Sequence, residues 1–188
     1  MYGRQRKGQF FLLGAIFICT LFFAMLPAHN IAGTGKASDM SELSDNLESE
    51  IPRALNLILL DGGEPTELGD FMDFVRDRSA ERYISFQGLW VVFEPDPSSP
   101  GDWDIHAGNW LRSPVSLFVV VDSSDINMDL DYQETGTRSL AGVSSSPDVQ
   151  VSFKDRSCSG TLSRDKTSLY SFTSLTRGED VVVSEKAG

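Results

Sequence analysis

The chain has 188 residues, 40 % of them hydrophobic and 10 % aromatic, which is enough to bury one domain-sized core. Its formal net charge of −11 is unevenly spread: all 27 acids lie from Asp39 onward, and residues 31–188 hold 13 Lys/Arg against 27 Asp/Glu, or −14. An acidic surface of that kind repels phosphate, which argues against a nucleic-acid partner. The two cysteines, Cys19 in an apolar run and Cys158 in a Ser-rich turn, are not expected to pair, so the core must stabilise the domain without a disulfide.

The N-terminal stretch RKGQFFLLGAIFICTLFFAML (residues 6–26) has basic residues at its start and no charge from Phe10 to Leu26. As a helix those residues rise about 25 Å at ~1.5 Å each, close to the ~30 Å of a hydrocarbon core. The expected division is a basic leader at 1–8, a transmembrane helix at 9–28, a linker at 29–38 and an extracytoplasmic domain at 39–188. Arg4, Arg6 and Lys7 precede the run, and no positive charge follows it until Lys36. The positive-inside rule then puts the N-terminus in the cytoplasm, the helix in the lipid bilayer and the C-terminal domain outside the cell.

Three readings of this stretch compete. A cleaved secretory signal needs small residues at −3 and −1 of the cut, and Leu26-Pro27-Ala28 supplies a poor match. A plain signal anchor needs only the apolar run. The third rests on Lys7-Gly8-Gln9 at the junction, which resembles the class III signal of archaeal type IV prepilins. The resemblance covers about 20 residues. It implies that a prepilin peptidase cuts after Gly8, that the mature chain starts at Gln9, and that the partners are pilin-like subunits. The family usually has Glu at the fifth mature position, where it assists assembly, and Leu13 occupies that place here.

Beyond the linker, Asp39 and Glu42 are spaced as a capping box. Met40, Leu43, Leu47, Ile51, Leu55 and Ile58 form one apolar helical stripe, in which Pro52 should kink or restart the helix. DGGEPT (61–66) reads as a turn. A second helix follows with Leu68, Phe71, Phe74 and Val75, so helices are expected over 39–82. From residue 84 the period changes. Strands are expected over 89–93, 103–111, 115–121, 126–132, 137–143, 149–154, 160–163 and 168–173, separated by Gly, Pro, Asp and Ser turns. The fold class expected is α+β: an N-terminal transmembrane helix, two further helices, then an antiparallel β-sandwich or β-sheet head. In outline this is similar to a pilin, and to archaeal single-pass membrane proteins of the same plan.

The candidate chemistry is sparse. Asp125, Asn127, Asp129 and Asp131 open like an EF-hand, but Leu130 stands at the sixth position and Gly136 at the twelfth, where Gly and a bidentate Glu are needed. Alternation with Ile126, Met128, Leu130 and Tyr132 indicates a half-buried strand with its acids in water. Asp96, Asp102 and Asp104 share a loop that could curl around Ca²⁺. His29 and His106 are the only histidines, and His106 beside Trp103 and Trp110 reads as a surface or half-buried residue. Neither a G-x-S-x-G elbow nor a phosphate-binding Gly loop occurs. Phe71, Phe74, Trp90, Phe93, Trp103 and Trp110 are expected as core between helices and sheet. The chain thus reads as a non-enzyme without cofactor, metal or small-molecule substrate. The expected function is a membrane-anchored, pilin-like structural or interaction component of a cell-surface or secretion assembly. The alternative is a tethered extracytoplasmic binding module that forms no filament.

Overall fold

The computed structural model describes residues 36–99, 101–144 and 146–187. Helix α1 (Lys36–Leu60) is followed by a 3-10 turn (Pro65–Glu67) and helix α2 (Leu68–Ala80). Nine strands follow among the described residues: β1 (Ser85–Pro95), β2 (Trp103–Trp110), β3 (Val115–Val121), β4 (Ser124–Leu130), β5 (Glu134–Leu140), β6 (Asp148–Phe153), β7 (Arg156–Thr161), β8 (Ser168–Arg177) and β9 (Asp180–Ala187).

The strands form two sheets, ordered β5-β2-β1-β8-β9 and β4-β3-β6-β7, and every pairing is antiparallel. The faces of β1 explain the three layers that result. Leu89, Val91 and Phe93 point into the core shared with the second sheet, where they meet residues such as Leu117, Val119 and Val151. Phe86, Trp90 and Val92 point the other way, into a second core under α1 and α2 with Met40, Leu47, Ile51, Leu68 and Met72. A strand covered on both faces reads as a continuous apolar run, which is why LWVVF does not alternate. Strand β3 is covered on one face only and alternates as a half-buried strand should, with Val115, Leu117, Val119 and Val121 inward.

Trp90 shows how tightly the helix-side layer is fitted. It is fully buried and lies across Gly108 of β2, where a Cβ would stand 2.5 Å from the indole ring. Only glycine lets the ring lie flat on the neighbouring strand. Helix α1 ends at Leu60, and Gly62 just beyond it has a φ of +75°, the left-handed conformation that follows a helix C-terminus. There the Gly63 N–H reaches back to the Ile58 carbonyl at 2.9 Å.

Several expectations require correction. Among the described residues the architecture is two helices and nine antiparallel strands in two sheets, and no helix is long and apolar enough to cross a membrane. The α+β plan headed by a transmembrane helix therefore does not describe this structure. The physical reason is visible in the sequence of α1, which carries Asp39, Glu42, Asp45, Glu48 and Glu50 among its apolar residues, while α2 has only 13 residues. The leader at 1–8, the span expected at 9–28, and Lys7, Gly8 and Gln9 lie outside the described residues. Helix α1 neither stops nor restarts at Pro52 but runs through it to Leu60. Strand β9, over residues 180–187, was not among the strands expected.

The aromatic residues divide between the two cores. Trp90 and Trp110 lie in the helix–sheet core, with Phe71 and Phe74 partly buried against it, whereas Phe93 and Trp103 lie between the sheets. The difference follows from strand parity, since Phe93 and Trp90 are an odd number of residues apart on β1.

Candidate functional site

A concave feature lies along one side of the sandwich, where β7 ends one sheet and β9 ends the other. A cleft of about 300 Å³ opens there, floored by apolar residues including Phe93, Val151 and Leu169. Its rim is polar, with Cys158, Ser159 and Thr161 on one wall and Lys166, Ser168 and Tyr170 on the other. An apolar floor with a few polar groups around it is the usual chemistry of a recognition site.

Alternation along β8 puts Tyr170 and Phe172 on the face toward the second sheet, where Phe153 meets both rings edge-on at centroid distances of 6.5 and 5.4 Å. The Tyr170 hydroxyl donates to Glu185 Oε1 of β9 at 3.3 Å. The same carboxylate oxygen pairs with Arg156 Nη1 of β7 at 3.3 Å. The Arg156 guanidinium lies 4.5 Å from the centroid of the Phe172 ring, within cation–π range. Glu185 thereby ties β7 of one sheet to β8 of the other. Burial pushes the Tyr170 hydroxyl well above the ordinary phenol range, and the neighbouring Glu185 carboxylate and Cys158 add to the effect. Tyr170 accordingly stays protonated at neutral pH and donates to Glu185.

A second, shallower hollow of about 430 Å³ adjoins this cleft and is lined by Asp122, Asp148, Gln150 and Thr161 among others. Asp122 sits at a tight corner with a φ of +53°. Its carboxylate accepts from the backbone N–H groups of Asp148 at 3.1 Å and Ser144 at 3.3 Å. Hydrogen bonding from the Ser144 side chain, together with these backbone donors, holds its pKa below the usual carboxylate range. Asp122 fixes the β3–β4 corner to the start of β6.

The residues singled out in sequence do not converge. Asp125, Asn127 and Asp129 lie on β4, and Asp129 accepts from Ser116 Oγ of β3 at 2.6 Å. The carboxylates of the 96–104 loop are each used separately. Asp96 accepts from the Ser98 N–H and hydroxyl, both at 2.7 Å, Asp102 from the Gly142 N–H at 3.2 Å, and Asp104 from Ser139 Oγ at 2.6 Å. Among the described residues, no group of three or more His, Cys, Asp or Glu side chains could hold a metal ion. His106 is more buried than its surroundings in sequence suggested, at 8 % exposure. Its Nδ1 lies 3.1 Å from Thr137 Oγ1, and its Nε2 lies 3.5 Å from Glu94 Oε2.

Sequence reasoning did not find the Arg156–Glu185–Tyr170 group. Arg156 opens a strand of small polar residues, and Glu185 lies on the unexpected strand β9, so no local pattern joins them. The one available signal was the charge of Glu185 within an otherwise β-prone segment. No family model matches the chain, and no curated protein matches it.

Proposed function

We propose that the chain is a pilin-like structural or interaction component of a cell-surface or secretion assembly, acting outside the cell and without catalysis of its own. The observation that carries this reading is the way the long helix α1 packs against β8 and β9 of an antiparallel head. A helix laid along the sheet makes α1 and the head one rigid unit. Lys7-Gly8-Gln9 supports the same reading through its resemblance to a prepilin processing site, with a prepilin peptidase and pilin-like subunits as partners.

The test is to shear intact cells and probe the released material for this chain with an antibody to the head. Release together with other subunits in high-mass particles is expected. Retention of all the protein with the cell body would count against the assembly. The cleft beside Tyr170 favours a second reading, a binding head that forms no filament. That reading predicts retention of the protein in the shearing experiment, with capture of a ligand that protects Cys158 on the cleft wall from thiol reagents.

A further inference from the structure

The two sheets leave four edge strands, and these differ in how well they resist pairing with another chain. Strand β4 carries Asp125 and Asp129, strand β5 carries Glu134 and Arg138, and strand β7 is short and made of small polar residues. Charges and short length are the usual protections of an edge. Strand β9 is different. It is eight residues long, contains no proline, and exposes Val181 and Val183 at 58 % and 44 %. It carries Asp180, Glu185 and Lys186, but two of these charges are turned to neighbours within the chain: Glu185 is held by Arg156 and Tyr170, and Lys186 Nζ donates to the Glu48 carbonyl of α1 at 3.1 Å.

From this edge we infer that β9 is a homodimer contact, at which two copies of the chain pair antiparallel about a two-fold axis through Val183. The occupant follows from charge. With Val183 opposite its own copy, Asp180 stands opposite Lys186, Val182 opposite Ser184 and Val181 opposite Glu185. Opposed residues must share a face, so the dyad can move only from residue to residue: at Val182 it sets Glu179 against Glu185, two acids, and at Ser184 it loses the Asp180–Lys186 pair. Asp180 and Lys186 lie on the same face of the strand as Val182 and Ser184, the face toward α1. An ammonium has three donors, so Lys186 can keep its bond to the Glu48 carbonyl and donate to the partner's Asp180 carboxylate as well.

The helices fit this arrangement. Helix α1 packs on both β8 and β9, which places it over the gap between them. At ~4.8 Å per strand that is about 5 Å from the dyad, so the two copies of α1 would run about 10 Å apart, the ordinary distance for packed helices. The dimer would join the two five-stranded sheets into one continuous sheet with both α1 helices on the same side. This contact does not depend on the assembly reading above, since it requires only the head.

The experiment uses the full chain with Cys19→Ser and Cys158→Ser, so that introduced thiols are the only ones. Val183→Cys should form a covalent dimer under mild oxidation, because residues opposite each other in an antiparallel pair lie about 4.5–5.5 Å apart at Cα, within disulfide range. Val181→Cys should not cross-link to itself, but should do so when mixed with a Glu185→Cys chain. Both valines are exposed, and circular dichroism checks that the variants keep the fold. Without introduced cysteines, Asp180→Lys should raise the dimer Kd about tenfold through two like-charge pairs. Failure of Val183→Cys to cross-link, equal self-linking at 181 and 183, or an unchanged Kd for Asp180→Lys would overturn the proposal.

Discussion

Lys186, on the last strand, donates to the Glu48 carbonyl at 3.1 Å, the carbonyl that Pro52 leaves without a helical partner. In an uninterrupted helix the N–H four residues on would take that role, and proline has none. Ser184, two residues before Lys186, donates to the Glu48 carboxylate. Strand β9 therefore repairs the gap in α1 and fixes the helix to the sheet at the same point. Lys186→Met should destabilise the domain by about 1 kcal/mol. Pro52→Ala restores the missing donor, so the same lysine substitution should cost less in that background. A double-mutant cycle on urea midpoints checks this, with a coupling of about 0.5–1 kcal/mol expected.

A second anchor joins α2 to the sheet. Asp73 accepts from Trp110 Nε1 at 2.9 Å and from Gln133 Nε2 at 2.8 Å, and it pairs with Arg76 at 2.8 Å. Trp110 is buried, so its indole N–H has nowhere else to turn. Asp73→Ala should cost about 1–3 kcal/mol, the penalty of a buried donor left without an acceptor. Asp73→Asn keeps a carbonyl oxygen and should cost less. Thermal unfolding of the two variants, followed by tryptophan fluorescence, gives the comparison.

Tyr170 gives the alkaline limit of stability. Its hydroxyl titrates higher in the folded protein than in the unfolded chain, mainly because it is buried. The unfolded chain therefore loses this proton first, near pH ~10, while the folded state still holds it. The stabilising contribution is complete below pH ~10 and falls as pH rises toward the folded value. Tyr170→Phe removes that dependence, so stability above pH ~10 should decline less steeply in the variant than in the wild type. Ultraviolet titration should show one of the four tyrosines ionising only as the protein unfolds.

Local periodicity made the layers from Met40 onward legible, and the exceptions have identifiable causes. The stripe from Met40 to Ile58 marked α1, but composition alone could not show that Lys186, more than a hundred residues later, would let the helix pass through Pro52. LWVVF marked a strand without stating that both of its faces are covered. Strand β9 escaped notice because Asp180, Glu185 and Lys186 interrupt its valines, and because it is an edge whose inward contacts are few. The cleft was invisible for the same reason, since Arg156, Tyr170 and Glu185 meet only once both sheets are assembled. Alternation at Asp125–Asp131 marked a half-buried strand in place of an ion site, and β4 spreads Asp125 and Asp129 along its length.

We propose a processed subunit of a surface assembly, and the decisive observable is the mature N-terminus of the native protein. Gly8 offers a backbone without a β-carbon next to the bond to be cut, which leaves room for a protease to approach. Mass spectrometry of the protein isolated from native cells should give a chain beginning at Gln9, with Gly8→Ile accumulating as the uncut precursor. A native chain that begins at Met1 or Tyr2 would contradict the claim.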